Sequence, residues 1–227
     1  MKLFSTELKN PLILASGILG VTLASLRRVH TEGAGAVTTK SITISKRKGH
    51  KAPIFYSYSG SALNSVGLSN PGVDDFIRQI SRERMDFPLI VSIFGNTIDE
   101  FIMLVEKLNP FDFLCFELNL SCPNVEDEFG KPVSYSPERT GIIVRETRGV
   151  SKKPIIAKLS LGAPSLVAVA CAAEKSGADA ICISNTLGQG MIIDVSTGTP
   201  VLSAKAGGLS GKSIFPLTVK NVYDVYS

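Results

Sequence analysis

The sequence predicts a parallel α/β fold, a (β/α)8 TIM barrel, and three observations support this prediction. Short, nearly continuous apolar runs alternate with helical patterns along the chain, which is typical of parallel strands covered on both faces. No linker, low-complexity segment or block of like charges divides the 227 residues, so we expect a single domain over residues 1–227. Polar residues also close every predicted strand, and in a barrel they would all face one mouth.

An open, doubly wound sheet is the alternative architecture for such a pattern. Its ligand binds where the strand order reverses, and a glycine-rich fingerprint follows the first strand of a dinucleotide-binding sheet. Here the sequence Ala15-Ser16-Gly17 follows the first strand instead. The polar strand ends are spread over all six predicted strands: Ser16, Lys40, Ser92, Asn119, Lys158 and Asn185. These observations favour the barrel.

Six strands are predicted from runs of apolar and β-branched residues, at residues 11–16, 35–40, 87–94, 112–120, 154–159 and 178–184. Helices are expected at residues 22–32, 75–84, 97–108, 137–147, 164–175 and 216–226. In the helix at 97–108, apolar positions repeat with the helical period, Thr97 and Glu100 form a capping box, and Lys107 suits the C-terminal end. A closed barrel with units of this size needs ~300 residues. We therefore expect about six of the eight strand–helix units, with the C-terminal units missing.

Composition excludes several classes of protein. Charged residues make up 19% of the chain and the mean hydropathy is +0.22, which excludes a disordered protein. The net charge of +4 is too small to indicate nucleic-acid binding, and the one basic run, residues 45–51, is interpreted as a solvated loop. Ser, Gly and Thr interrupt the uncharged stretch at residues 10–26, and no apolar run reaches the ~20 residues of a membrane span. We expect neither a nucleic acid nor a membrane as partner.

The four cysteines are Cys115, Cys122, Cys171 and Cys182, and they contain no CxxC pair. This pattern predicts a reducing, cytoplasmic location and no metal site. Cys115, Cys171 and Cys182 lie within apolar strand or helix patterns, so we interpret them as small buried hydrophobic residues.

Two lysines, Lys40 and Lys158, end apolar strands. A buried ammonium group is costly unless an anion or an electron-rich ligand compensates it, and no carboxylate adjoins either lysine in the sequence. Each side chain could instead reach solvent at its strand end. Two such lysines at one mouth favour a role in stabilising a reduced, anionic cofactor or a substrate carboxylate.

Two amides and a thiol follow the fourth predicted strand, in the sequence Asn119-Leu-Ser-Cys122-Pro-Asn124. Amides both donate and accept, so this pair could bind a ring that carries alternating N–H and C=O groups. Cys122 could be a nucleophile, a general base or a metal ligand. The chain has only two histidines and no zinc-type spacing, which disfavours a Cys–His pair or a zinc site and keeps a general base in a closed pocket as one candidate role.

Three further segments offer polar groups near the predicted mouth. The loop at residues 64–72 carries the amides of Asn64 and Asn70 and the backbone N–H groups around Gly67, although ordinary turn formation explains such residues equally well. Asn185-Thr186 ends the sixth strand. The glycine-rich sequence 207–211 is expected to open the next helix and could bind a phosphate, but alone it is weak evidence.

Taken together, these motifs resemble the class 1 dihydroorotate dehydrogenase family, the flavin enzymes of pyrimidine biosynthesis. The resemblance covers nearly the whole chain, and the string Leu-Asn-Leu-Ser-Cys-Pro-Asn at 118–124 is its most specific part. It also includes Ala15-Ser-Gly17, Lys40-Ser41, Asn64-Ser-Val-Gly-Leu68, Lys158, Asn185-Thr186 and Gly207-Gly-Leu-Ser-Gly211. Residues 191–211 are most similar to the class 1B branch.

The resemblance implies a reaction and a set of site residues. It implies that Cys122 is the base that takes a proton from C5 of dihydroorotate, while FMN accepts a hydride from C6. The implied substrate-binding residues are Lys40, Asn64, Ser65, Val66, Gly67, Leu68, Asn119, Asn124, Asn185 and Thr186. The implied cofactor-binding residues are Ser16, Lys40, Ser41, Ser92, Asn119, Lys158, Ser184 and Gly211.

The class 1B resemblance also implies partners. Members of this branch work with a second subunit that carries FAD and a 2Fe–2S cluster and passes electrons to NAD+. A homodimer, or a heterotetramer with that electron-transfer subunit, is therefore expected.

Two features depart from the family pattern. Ser92 stands where class 1B usually has Asn, and the family's phosphate-binding segments after strands seven and eight are absent from residues 1–227. We therefore expect residues 1–227 to bind FMN more weakly than a longer chain. The alternatives to this family are a related FMN barrel that reduces pyrimidine bases, and a flavin-free, pyrimidine-binding scaffold subunit.

Overall fold

A curled sheet of six parallel strands organises the fold. The structure is a computed structural model that describes residues 1–17, 19–83, 85–121 and 135–227. A hairpin of β1 (Lys2–Leu3) and β2 (Thr6–Glu7) comes first, and the next strands are β3 (Ile13–Leu14) and β4 (Ala36–Thr38). The sheet pairs β3, β4, β7 (Leu89–Ile93), β8 (Cys115–Asn119), β9 (Ile155–Leu159) and β10 (Ala180–Ile183) in chain order. This half-barrel confirms the predicted fold class and all six predicted strands.

Helices follow or separate these strands. They are α1 (Leu23–Thr31), α2 (Val73–Ile80), α3 (Ile98–Leu108), α4 (Pro137–Val150), α5 (Leu166–Lys175) and α6 (Phe215–Tyr226). The Thr97 hydroxyl accepts from the Glu100 N–H at the start of α3, as the capping pattern predicts. The helix predicted at residues 75–84 lies a few residues earlier in the structure. It begins at Val73, directly after Gly72, whose φ of 85° suits glycine at a turn.

The two faces of the curled sheet pack against different partners. Alternate residues of each strand face the helices, among them Val91, Phe116 and Leu118, and they form the main hydrophobic core. The opposite face lies inside the curl, where Ile90, Cys115 and Ile156 form a second cluster with Leu8 of the N-terminal segment. Side chains nearer the carboxyl ends of the strands on this inner face are polar, which positions the site.

A second sheet, of four antiparallel strands, was not predicted. It contains β5 (Phe55–Tyr58), β6 (Ser61–Asn64), β11 (Leu187–Gly190) and β14 (Gly207–Gly211), in the order β11-β14-β6-β5. A small hairpin, β12 (Ile193–Asp194) and β13 (Thr199–Pro200), lies between β11 and β14 in the chain. The interpretation of 207–211 as a loop that opens a helix was wrong, because these residues pair with β6 and a short 3-10 turn at Lys212–Ile214 precedes α6.

Within the described ranges, no helix is long and apolar enough to cross a membrane.

Candidate active site

The carboxyl ends of the parallel strands open into a cleft of about 700 Å³. The antiparallel sheet forms its opposite wall, through residues of β6, β11 and β14. A cleft at this end of a barrel-type sheet is where enzymes of this architecture place their catalytic residues.

The structure brings most of the predicted site residues together in this cleft. Those that line it are Ser16, Lys40, Ser41, Asn64, Ser65, Val66, Gly67, Leu68, Asn119, Lys158, Asn185 and Thr186. Ser92, Ser184 and Gly211 do not line it. Ser92 is fully buried behind Ser41, and Gly211 packs against Gly60 at the far end of β14. Cys122 and Asn124 lie outside the described residues.

A chain of hydrogen bonds joins five side chains across the mouth of the sheet. Ser41 Oγ lies 3.0 Å from Ser92 Oγ and accepts from Asn119 Nδ2 at 2.8 Å. Asn119 Oδ1 accepts from Ser121 Oγ at 2.7 Å, and Ser121 Oγ accepts from Asn185 Nδ2 at 2.6 Å. The chain thus connects the ends of β4, β7, β8 and β10 and fixes polar groups that strand alternation brings to the inner face.

The two lysines of the site are both buried but differ in their surroundings. Lys158 Nζ lies 3.8 Å from Glu117 Oε1, and both side chains are at most 5% exposed. Lys40 is 7% exposed, and burial lowers the pKa of its ammonium group. The described residues that line the cleft include no Asp or Glu. Both lysines line the same cleft, as the sequence predicts. The cleft therefore offers positive charge to a ligand.

Asn70 holds the loop that forms one wall of the cleft. Its Nδ2 donates to Thr43 Oγ1 at 2.9 Å and to the Leu68 carbonyl at 2.8 Å, while its Oδ1 accepts from the backbone N–H groups of Thr43 and Gly72. Asn70 is 4% exposed and does not line the cleft. Its amide therefore has a structural role, and the adjacent residues 64–68 line the cleft.

Two glycines allow β14 to approach the cleft residues closely. A Cβ atom at Gly207 would lie 2.5 Å from the Asn64 carbonyl oxygen, and one at Gly208 would overlap the Thr186 hydroxyl. Thr186 in turn donates its backbone N–H to Asn185 Oδ1 at 2.8 Å. Close packing therefore explains why glycine stands at these positions.

The sequence prediction missed several cleft residues, among them His50, Ser121, Tyr135, Ser160, Gln189 and Ser210. Ser121 could have been found, because it lies inside the motif that contains Asn119 and Cys122. Gln189 and Ser210 lie on strands of the second sheet, whose short and glycine-rich sequences resemble loops.

The described cysteines lie away from the cleft lining. Burial raises the pKa of the Cys115 thiol, and burial, followed by the negative charge of Glu117, raises that of Cys182 to about 11. Cys171 is exposed and Cys182 is only half-buried, which corrects their interpretation as buried residues. Cys171 lies on the face of α5 opposite Val169 and Ala173. Across the described residues, no group of three or more His, Cys, Asp or Glu side chains could hold a metal ion.

Comparison with known proteins agrees with this geometry. The family model described as dihydroorotate dehydrogenase matches residues 1–227. The chain belongs to the dihydroorotate dehydrogenase family.

Relatives in this dihydroorotate dehydrogenase family carry a more specific description. The dihydroorotate dehydrogenase B (NAD(+)) catalytic subunit of Pyrococcus abyssi is 42% identical over 227 residues, which cover 100% of this chain and 75% of the relative. The proteins of the same description from Pyrococcus horikoshii and Methanosarcina mazei are 43% and 42% identical over 225 and 224 residues, covering 73% and 71% of those relatives and 99% and 97% of this chain. The resemblance to the family and to its class 1B branch is confirmed.

Proposed function

We propose that this chain catalyses the oxidation of dihydroorotate to orotate, with FMN as the bound cofactor. The observation that carries the proposal is the cleft of this family member. The ends of its parallel strands meet there and bring together two buried lysines and a row of hydrogen-bonded amides and hydroxyls. Dihydroorotate is a carboxylate with a ring of alternating N–H and C=O groups, which ammonium and amide side chains can bind.

The chemistry of the cleft fits the flavin ring of FMN. A volume of about 700 Å³ is in the range of ligand-binding clefts. Lys158, Ser41 and Asn119 offer a cation, a hydroxyl and an amide to the flavin ring, and Ser16 lies on the neighbouring wall. Lys40 lines the same cleft, and we assign to it contacts with both cofactor and substrate. When bound, FMN supplies the two-electron acceptor for the hydride that leaves C6.

The chain's own residues would bind the substrate and remove its second hydrogen. We assign to Cys122 the role of general base for the C5 proton, so that proton and hydride together account for the two hydrogens lost as orotate forms. Asn64, Asn185 and Thr186, with the backbone of residues 65–68, would hold the ring and its carboxylate. Burial of Lys40 strengthens its attraction for that carboxylate, since solvent screens it little.

The relatives from Pyrococcus are named as catalytic subunits, so we propose that this chain works with a second subunit. An electron-transfer subunit that carries FAD and a 2Fe–2S cluster and reduces NAD+ is the partner that fits this function. The proposed location is the cytoplasm.

The test is anaerobic oxidation of dihydroorotate by the FMN-loaded protein with an artificial dye as acceptor. Cys122→Ala should reduce orotate formation by about 100-fold or more, the usual range for loss of a general base, while FMN absorbance is retained. Cys171→Ala, at an exposed position on α5, is the matched control and should leave turnover unchanged. Absence of orotate formation by the wild-type protein with FMN bound would contradict the proposed function. Undiminished turnover by Cys122→Ala would remove that residue from the base role.

A further inference from the structure

The hydroxyl of Ser121 connects two amides that line the cleft. Ser121 follows β8, is 5% exposed and itself lines the cleft. Its Oγ lies 2.7 Å from Asn119 Oδ1 and 2.6 Å from Asn185 Nδ2. One serine therefore sets the contact between residues that come from two different strand ends.

The direction of these two bonds is determined by the chemistry of the groups. An amide oxygen only accepts and an amide nitrogen only donates, so the single Ser121 proton goes to Asn119 and its lone pair receives the N–H of Asn185. Two backbone donors independently support this orientation. The Ser121 N–H points to Asn119 Oδ1 at 3.4 Å, and the Thr186 N–H donates to Asn185 Oδ1 at 2.8 Å.

The same network leaves an N–H donor of each amide for a ligand and holds each amide oxygen in a bond with the protein. Each amide nitrogen carries two N–H groups. Asn119 uses one on Ser41, and Asn185 uses one on Ser121. No other described residue accepts a hydrogen bond from either amide nitrogen, while both amide oxygens already accept bonds.

We propose that Ser121 is a positioning residue that turns the amides of Asn119 and Asn185 so that both present N–H donors to the ligand. The site then selects ligands whose carbonyl or carboxylate oxygens face these two side chains. The inference deepens the proposed function and rests on it, since the expected ligand is orotate or dihydroorotate, the pyrimidine acids of that reaction.

Loss of the Ser121 hydroxyl should weaken ligand binding rather than the chemical step. Without it, Asn119 loses its shorter acceptor bond and Asn185 loses the partner of its nitrogen. Each amide is then held only by its remaining bonds and turns more readily, so that its oxygen can face the ligand. One or two net hydrogen bonds correspond to a loss of affinity of about tenfold.

The experiment uses FMN-loaded protein and titrates orotate, 2-thioorotate and 4-thioorotate by the change in flavin absorbance, with steady-state oxidation of dihydroorotate alongside. Ser121→Ala should raise the Kd of orotate and the KM of dihydroorotate about tenfold while kcat changes less than about threefold. Sulfur is a weak acceptor, so the wild-type protein should bind at least one thio analogue about tenfold more weakly than orotate, and Ser121→Ala should lose this discrimination.

Two further variants are measured beside Ser121→Ala. Ser121→Thr keeps a hydroxyl and should restore most of the affinity and the discrimination. Thr140→Val is the matched control, because Thr140 is fully buried in α4 and its hydroxyl has no hydrogen-bond partner. It should bind all three ligands as the wild type does.

Unchanged orotate affinity and unchanged discrimination in Ser121→Ala would overturn the inference and leave the proposed function standing. If Ser121→Ala does not fold, failure of Ser121→Thr to discriminate oxygen from sulfur overturns the inference equally. If the wild type discriminates orotate from its thio analogues as expected but does not oxidise dihydroorotate, the role of Ser121 in ligand binding is supported and the proposed reaction is contradicted.

Discussion

Lys158 and Glu117 face each other inside the curled sheet, with Nζ 3.8 Å from Oε1 and both side chains at most 5% exposed. The distance is too long for a hydrogen bond, and Glu117 Oε1 has no hydrogen-bond partner. The two groups thus compensate each other by charge without a directional bond. Burial of two charges at this geometry adds little stability, so the pair is better explained by the ligand site above it than by folding.

Lys158→Met should destabilise the protein because it leaves the Glu117 carboxylate buried without a counter-charge. The expected loss is about 3–5 kcal/mol in the free energy of unfolding at neutral pH, measured by urea denaturation without ligand. The double variant Lys158→Met/Glu117→Leu should recover most of that loss, because it removes both charges. Equal stabilities of the single variant and the wild type would contradict the charge-compensation argument.

Lys40→Met should have the opposite effect, since no described carboxylate compensates Lys40. Burial lowers the folded-state pKa of Lys40 below its unfolded value of 10.5, so the unfolded chain binds the proton more tightly. Wild-type stability should therefore rise as the pH increases from the folded-state pKa towards 10.5. At neutral pH the variant should be more stable than the wild type by about 0.5–2 kcal/mol and should lose orotate binding.

The check is a series of urea denaturation curves for Lys40→Met and wild type between pH 7 and pH 10. The stability difference should shrink as the pH rises. A difference that stays constant or grows over this range would show that lost packing, and not the buried charge, dominates the effect. Lys107→Met on α3, at an exposed position, is the control for loss of a lysine charge.

Much of the parallel sheet could be predicted because the burial of each strand is visible in its own sequence. Residues such as those of β7 and β9 are buried on both faces, and a continuous apolar run encodes that directly. Lys40, Asn119 and Lys158 could also be found, since a polar residue that closes an apolar run has few structural explanations.

The second sheet could not be predicted in the same way. Its strands are four or five residues long, mix polar and apolar side chains, and depend on pairing between β6 and β14, which are distant in sequence. The sequence of β14, Gly-Gly-Leu-Ser-Gly, has low intrinsic preference for a strand, and its glycines are explained only by the neighbours that they approach. The hydrogen-bond role of Ser121 likewise depends on Asn185, which only the folded chain brings near.

Asn70→Ala should destabilise the loop that carries residues 64–68. It removes the acceptor of the Thr43 and Gly72 N–H groups and the donor to the Leu68 carbonyl, so buried backbone groups lose their partners. The expected loss is about 2–3 kcal/mol in the free energy of unfolding, together with weaker orotate binding. Asn96→Ala, at an exposed position, should cost less than about 1 kcal/mol. Comparable losses in the two variants would contradict the structural role of Asn70.

Gly208→Ala should damage the cleft through Thr186. A Cβ atom at this position would overlap the Thr186 hydroxyl and lie 2.6 Å from its Cβ, so either β14 or the residues after β10 must shift. Because the Thr186 N–H also holds Asn185 Oδ1, such a shift should disturb the amide that faces the ligand. We expect about a tenfold or greater increase in the Kd of orotate and a loss of about 1–3 kcal/mol in stability.

Gly149→Ala is the matched control for this change. Gly149 lies near the end of α4, has no positive φ, and has nothing within 4 Å of the position that a Cβ would occupy. Alanine there should raise helix stability by up to about 1 kcal/mol and leave orotate binding unchanged. Titration of FMN-loaded protein and thermal denaturation distinguish the two variants. If Gly208→Ala binds orotate as tightly as Gly149→Ala does, the contact between β14 and Thr186 does not shape the ligand site.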